Sequence, residues 1–203
     1  MNIKRIAIIG TGSMGGAILS GLLKSGFSPD NVSVSTKSTA SAERLTDELG
    51  VLSFAMENGD DANQMAVAGA NVVLIGVKPA YVTEVLADIA DSLDDNALVI
   101  SVAAGITTAS MEAVLPEDVG VVRAMPNTPA LIGMGVTGVA AGSRTTAPQL
   151  SMAERLFESY PDATRGLLQA TLVAIALIDR IGRRRLLIIG SLGKRAATKR
   201  PKF

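Results

Sequence analysis

Cysteine and histidine are both absent from this chain of 203 residues. Without cysteine neither a disulfide framework nor a thiolate metal site can form, and a reducing, cytoplasmic location is the expectation. Without histidine the commonest general base is gone as well, and no metal site is expected. Chemistry must then come from a cofactor or from Ser, Thr, Tyr, Lys and carboxylates. Tryptophan is also missing, and aromatic residues make up 3% of the chain. That leaves little for stacking on bases, so no nucleic-acid partner is expected. No run reaches the roughly 18 to 20 apolar residues that span a bilayer. The opening MNIKRIAIIG has two positive charges and a short apolar run, but it leads into glycines with no A-x-A-like cleavage segment. It reads as a first strand, and no membrane partner is expected.

What is present is a chain 48% apolar and 19% charged, enough for one domain with a real core plus an appendage. Its net charge of zero is unevenly placed. Residues 1–159 hold 9 Lys+Arg against 17 Asp+Glu, and residues 160–203 hold 10 against 2, so the parts carry −8 and +8. Such asymmetry can mark a basic tail.

Short apolar runs alternate with helical spacing over the first 125 or so residues. The runs are Ile6 to Ile9, Val32 to Ser35, Val51 to Phe54, Val72 to Val77, Leu98 to Val102 and Val119 to Ala124. Between them, Met14 to Leu23, Ala42 to Leu49 and Val82 to Ile89 repeat apolar residues as helices do, and Gln149 to Ser159 does so later. VVLIGV and LVISVA are apolar on both faces, as central strands of a parallel sheet covered by helices on each side would be. The expected fold is α/β, a doubly wound, Rossmann-like parallel sheet. Gly26 and Gly50 stand where helices should stop, and Pro79 and Pro116 where elements should end.

Gly10-Thr11-Gly12-Ser13-Met14-Gly15 follows the first strand directly and opens a helix. Gly10 permits a tight turn, Gly12 lets backbone approach a pyrophosphate, and Gly15 lets the helix pack on the strand, with helix N-terminal amides facing the phosphates. The bland alternative is a turn whose glycines serve packing alone. At the end of the second strand an NAD site usually places Asp or Glu for the ribose 2′-hydroxyl. Here the chain reads Ser33-Val34-Ser35-Thr36-Lys37-Ser38, with no carboxylate. Its hydroxyls and lysine suit a 2′-phosphate, which favours NADP over NAD; a polar loop with a helix-capping Ser or Thr would look similar. Gly76-Val77-Lys78-Pro79 ends the fourth strand, where ligands of open α/β sheets lie. Lys78 would meet a phosphate or a substrate carboxylate, or simply solvent. Val102-Ala103-Ala104-Gly105 has side chains small enough for close backbone approach to a nicotinamide. Asn58 and Met125-Pro126-Asn127-Thr128-Pro129 complete the expected rim. Thr128 and Ser101 have the chemistry of a proton donor, but strand-end hydroxyls are commonly satisfied by backbone, and the catalytic residue is left unassigned.

Together GTGSMGG, GVKP, SVAAGI and RAMPNTPALIGMGVTGV, in this order and spacing, resemble the pyrroline-5-carboxylate reductase family over about residues 1–158. MPNTP with VKP is the specific part, since related NADP-binding enzymes share the glycine motif. The resemblance implies an NADPH-preferring Rossmann domain, with NAD as the lesser alternative. It implies Gly12, Ser13, Met14, Ser35, Thr36, Lys37, Asn58, Val77, Lys78, Pro79, Ala103 and Ala104 as cofactor neighbours. It also implies hydride transfer from NADPH to the small molecule 1-pyrroline-5-carboxylate to give L-proline, in a homo-oligomer built through a C-terminal helical domain.

That domain's Gly/Ser-rich signature, about SGSGPA followed by aromatics, is not found. Residues 159–203 form a divergent basic tail in its place, and loss of resemblance coincides with the change of charge. A truncated or frame-shifted product is the simplest expectation, and an NADP-binding module without turnover the alternative function. The tail's apolar Leu167 to Ile178, followed by Arg183-Arg184-Arg185, reads as one or two packed helices, as disordered remnant, or as a membrane or nucleic-acid arm; at this length a buried helix is the bland choice. A hydroxyacid dehydrogenase or another coenzyme-linked NADP reductase fits less well. The former places a catalytic lysine on a helix of a second domain, whereas Lys194, Lys199 and Lys202 lie in no helical pattern.

Overall fold

The computed structural model describes residues 3–126 and 137–158. Each of the six apolar runs forms a strand: β1 Ile6–Ile9, β2 Val32–Thr36, β3 Leu52–Ala55, β4 Val72–Ile75, β5 Leu98–Ser101 and β6 Gly120–Pro126. A seventh, β7 Thr137–Ala141, was not expected from the sequence. Among the described residues six α-helices accompany them: α1 Ser13–Lys24, α2 Thr39–Leu49, α3 Ala62–Val67, α4 Val82–Ile89, α5 Thr108–Glu112 and α6 Ala147–Glu158. Of these, α3 and α5 are too short to show a helical period in the sequence.

The strand order is β3-β2-β1-β4-β5-β6-β7. The first six are parallel, and β7 lies antiparallel to β6, with Val122 opposite Ala141 and Pro126 opposite Thr137. From β1 the chain winds outward through β2 to β3, then returns beside β1 as β4 and winds the other way. The direction reverses between β1 and β4, and the crevice of a doubly wound fold opens there, above the carboxyl ends of those strands.

The two-faced apolar strands make two cores, because successive side chains point to opposite faces. Ile6, Ile8, Val72, Leu74, Leu98 and Ile100 meet Ile18, Leu19 and Leu22 of α1 and Met152, Leu156 and Phe157 of α6. Ala7, Ile9, Val73, Ile75 and Val99 meet Ala66 and Val67 of α3, Leu86 and Ile89 of α4 and Met111 of α5. All of β1, β4 and β5 is buried. Nearly every side chain in the centre of the sheet therefore contributes on the order of 1.5–3 kcal/mol of transfer free energy, and the strand ends are held on a rigid base.

Local chemistry sets the helix limits. Ser38 caps α2 by accepting the Ser41 N–H, and Gly50 ends it at φ 69°, donating its N–H to the Thr46 carbonyl. Beyond α1, Gly26 takes φ 93°, a conformation that costs glycine little. Pro79 opens a single 3-10 turn, Pro79–Tyr81, where its missing N–H removes no bond. Among the described residues no helix is long and apolar enough to cross a membrane. The expectations for residues 159–203 lie outside the described residues.

Candidate functional site

The loop from β1 into α1 forms the floor of the crevice. Gly10, at φ 86°, donates its N–H to the Ser35 carbonyl at 3.1 Å, joining the loop to the end of β2. Across the other side, the Gly76 N–H donates to the Ile9 carbonyl at 2.8 Å, and the Val102 N–H to the Ile75 carbonyl at 3.1 Å. The ends of β2, β1, β4 and β5 are thus joined to one another by backbone hydrogen bonds.

Three glycines are fixed by packing. A Cβ on Gly15 would run into the Gly10 carbonyl oxygen; one on Gly76 would stand 2.6 Å from that same oxygen; one on Gly10 would stand 3.0 Å from the Val77 nitrogen. At Gly15 and Gly76 real Cβ atoms essentially never come so near backbone, so α1 and the end of β4 approach β1 as closely as they do because these two side chains are absent. Gly12 differs. A Cβ there would meet nothing within 4 Å. Gly12 is the exposed N-cap of α1 and supplies no side-chain cap. The amides of Ser13, Met14 and Gly15 that follow have no partner within the helix by construction. No acidic residue lies in the first turn. Packing gives no reason for glycine at 12, whereas a ligand laid over these amides does, and the positive end of α1 favours an anion there. The residues present thus fit a dinucleotide pyrophosphate.

The end of β2 meets the expectation only in part. The register of β2 turns Ser33 and Ser35 towards α3, where the Ser33 hydroxyl donates to the Ala66 carbonyl and the Ser35 hydroxyl to Asn63 Oδ1, each at 2.5 Å. Asn63 in turn donates to Asp88 Oδ2 of α4 at 2.9 Å. Ser35 is 2% exposed, so its hydroxyl faces the interior and not the crevice, and Ser35 borders the site through its carbonyl. The Thr36 hydroxyl is buried and donates to the Ser38 carbonyl at 3.0 Å. Lys37 alone of these three is exposed. The hydroxyls of Ser35 and Thr36 thus donate to protein partners, while the Lys37 side chain reaches solvent beside them.

Asn58 is exposed on the loop after β3 and accepts the Thr39 hydroxyl at 2.7 Å, bringing it to the head of α2. Val77 is half-buried against the Gly10 turn, while Lys78 and Pro79 are exposed beyond β4. Ala103 is buried and donates its N–H to the Ser101 hydroxyl at 3.2 Å; Ala104 and Gly105 are exposed, with Gly105 at φ 82°. Ser101 itself is fully buried, and its hydroxyl oxygen accepts at the start of this loop. Asn127, Thr128 and Pro129 lie outside the described residues.

Two groups escaped the sequence reading. Asn63 fastens Ser35 from beneath, and Glu57 accepts the Thr39 N–H at 2.9 Å from the neighbouring loop. An asparagine early in a short helix, and a carboxylate one strand away from where it is usually sought, carry no sequence signal of their own. Beyond β3 a cleft of about 470 Å³ runs between α2 and α3, sharing Thr39 and Asn58 with the rim but otherwise lined by groups such as Thr46, Asp47, Phe54 and Met65. It lies at the sheet's outer edge, away from the β1–β4 crevice. Among the described residues no three His, Cys, Asp or Glu gather as metal ligands.

Residues 5–105 match the family model described as NADP oxidoreductase, coenzyme F420-dependent. A pyrroline-5-carboxylate reductase of Corynebacterium melassecola is 38% identical over 160 residues, 77% of this chain and 57% of that protein. The solved pyrroline-5-carboxylate reductase of Coxiella burnetii superposes with a TM-score of 0.72 at 24% identity, covering 98% of this chain and 82% of that one. The Plasmodium falciparum pyrroline carboxylate reductase, solved with NADP bound, gives a TM-score of 0.67 at 20% identity, covering 99% and 71%. These two likenesses show a shared fold. The chain spans a little over half the length of the curated relatives it matches. Over that matched stretch its sequence is similar to pyrroline-5-carboxylate reductases.

Proposed function

We propose that this chain binds NADPH and uses it to reduce 1-pyrroline-5-carboxylate to L-proline. The observation that carries the reading is Gly12: an open N-cap whose missing side chain no protein neighbour demands, at the head of α1 beside the β1–β4 reversal. The similarity to pyrroline-5-carboxylate reductases supplies the substrate class, and a structural neighbour solved with NADP bound supports the cofactor.

Gly10, Gly12, Ser13, Met14 and Gly15 would hold the pyrophosphate, Lys37 and Asn58 the adenosine end, and the Val77-Lys78-Pro79 and Ala103-Ala104 loops the nicotinamide side. Ser35 and Thr36 act as supports for this frame. A bound reduced nicotinamide supplies the hydride. The ring nitrogen of a cyclic imine acid is basic enough to arrive protonated, and an iminium accepts hydride without a strong general acid. A chain without histidine can therefore serve by positioning. The packed glycines do that: they fix the loop on a base of buried strands, so the crevice keeps its shape before any ligand arrives.

A reductase of this kind suits a reducing cytoplasm, and a chain without cysteine is at no disadvantage there. The test is loss of NADPH absorbance by the purified chain with pyrroline-5-carboxylate. Turnover dependent on both is expected. If NADPH binds saturably and nothing is reduced, the chain is a nucleotide-binding module, and the reductase reading falls.

A further inference from the structure

The β2 end carries no carboxylate, yet one stands beside it. Glu57 lies on the loop after β3, and its Oε2 accepts the Thr39 N–H at the head of α2. This placement is braced. The Met56 N–H donates to the Thr36 carbonyl at 3.0 Å, the Glu57 N–H to the Lys37 carbonyl at 3.2 Å, and the Thr39 hydroxyl to Asn58 Oδ1 at 2.7 Å. The two loops are laced together, and the side chains of Lys37 and Glu57 emerge from the joined pair, both exposed.

A second observation concerns the donors around it. A 2′-phosphate needs donors, and each hydroxyl has one hydrogen to give. Ser35 gives its hydrogen to Asn63, Thr36 to the Ser38 carbonyl, Ser38 to the Ser41 hydroxyl and Thr39 to Asn58. One amide at the head of α2 is already taken by Glu57. Of the side chains expected to favour a phosphate, Lys37 and the amide of Asn58 are left, and the Glu57 carboxylate is carried on the same laced loops. Glu57 Oε1, by contrast, has no partner among the described residues, and an acceptor of this kind is what an unphosphorylated ribose requires.

We propose that Glu57 is a specificity-determining residue of the dinucleotide site, accepting the ribose 2′-hydroxyl of NADH and weakening the hold on the 2′-phosphate of NADPH. The proposal rests on the dinucleotide reading above. The role usually filled by an acidic residue at the end of β2 is filled here from the end of β3, and the site takes both cofactors.

The test is titration of the full chain with NADPH and with NADH, followed by nicotinamide fluorescence, for the wild type, Glu57→Gln and Lys37→Met. Glutamine keeps an acceptor for the Thr39 N–H and removes the charge. Glu57→Gln is expected to raise the NADPH-to-NADH affinity ratio by about three- to tenfold, less at high salt, as for exposed charges. Lys37→Met is expected to lower it. Because each ratio is taken within one preparation, any loss of folded protein cancels. An unchanged ratio in Glu57→Gln, or a parallel shift for both cofactors, overturns the proposal while leaving the dinucleotide reading intact. If the wild type binds neither, that reading fails and the proposal with it.

Discussion

The carbonyl oxygen of Gly10 occupies the space that a side chain on Gly15 would need, and it lies 2.6 Å from where a Cβ on Gly76 would stand. One backbone atom thus fixes the spacing of β1, α1 and β4. Gly15→Ala and Gly76→Ala must each push an element away from the strand it covers. Each is expected to cost roughly 3 kcal/mol or more, at the upper end for overpacking because the obstacle is backbone and not a movable side chain. Denaturant unfolding followed by circular dichroism measures it; a loss below about 1 kcal/mol would mean that the loop yields.

Asn63 is 3% exposed and joins Ser35 to Asp88. Asn63→Ala would leave the buried Ser35 hydroxyl without its acceptor, at an expected cost of about 1–3 kcal/mol. Asn63→Asp keeps an acceptor for Ser35 but sets a second carboxylate against Asp88. Its deficit should exceed that of a neutral replacement at high pH and shrink as the pH falls and a carboxyl takes up a proton. A pH series of unfolding midpoints checks this, and a pH-independent deficit would contradict the network.

Leu86 is fully buried on α4 among Ile75, Val99 and Ile89. Leu86→Ala is expected to lose roughly 2–5 kcal/mol with little change in denaturant dependence. The same substitution at Leu52, which is 48% exposed on β3, should lose less than about 1 kcal/mol. Comparable losses at the two sites would contradict the two-core account.

Gln149 ties α6 to the turn before β5: its Nε2 donates to the Asn96 carbonyl at 3.1 Å, while its Oε1 accepts the Thr146 N–H at 2.9 Å. Asn96 takes φ 59° in that turn. Gln149→Leu would leave these groups unpaired in a site where Gln149 is 4% exposed, at an expected cost of about 2–3 kcal/mol. Hydrogen exchange should quicken at the Asn96 turn before the rest of the sheet, and uniform exchange would contradict this tie.

The central strands were legible because their residues are apolar on both faces, a pattern that a parallel sheet between helices explains and an exposed sheet does not. Strand β7 was not, since it is glycine-flanked, sits at the sheet edge and buries only Gly138 and Val139 fully. The tight turn from β1 into α1 was legible through its glycine spacing, but sequence alone could not separate Gly12, left open, from Gly10 and Gly15, closed by packing. The β2 end was less legible, for a geometric reason. Alternation along a strand sends Ser35 to the α3 face, and a count of strand-end hydroxyls does not reveal which face they take. Glu57 reaches α2 across a strand pairing, a relation that exists only after folding.

The most direct measurement is NADPH binding to the wild type and to Gly12→Val, with both melting curves recorded. A valine at 12 meets no protein atom near its Cβ, so the melting temperature should hold within a few degrees while affinity falls by at least about tenfold, the loss of some 1.4 kcal/mol from a blocked pyrophosphate. Equal affinity in the two proteins, or no saturable binding by the wild type, would contradict the assignment of this crevice to a dinucleotide.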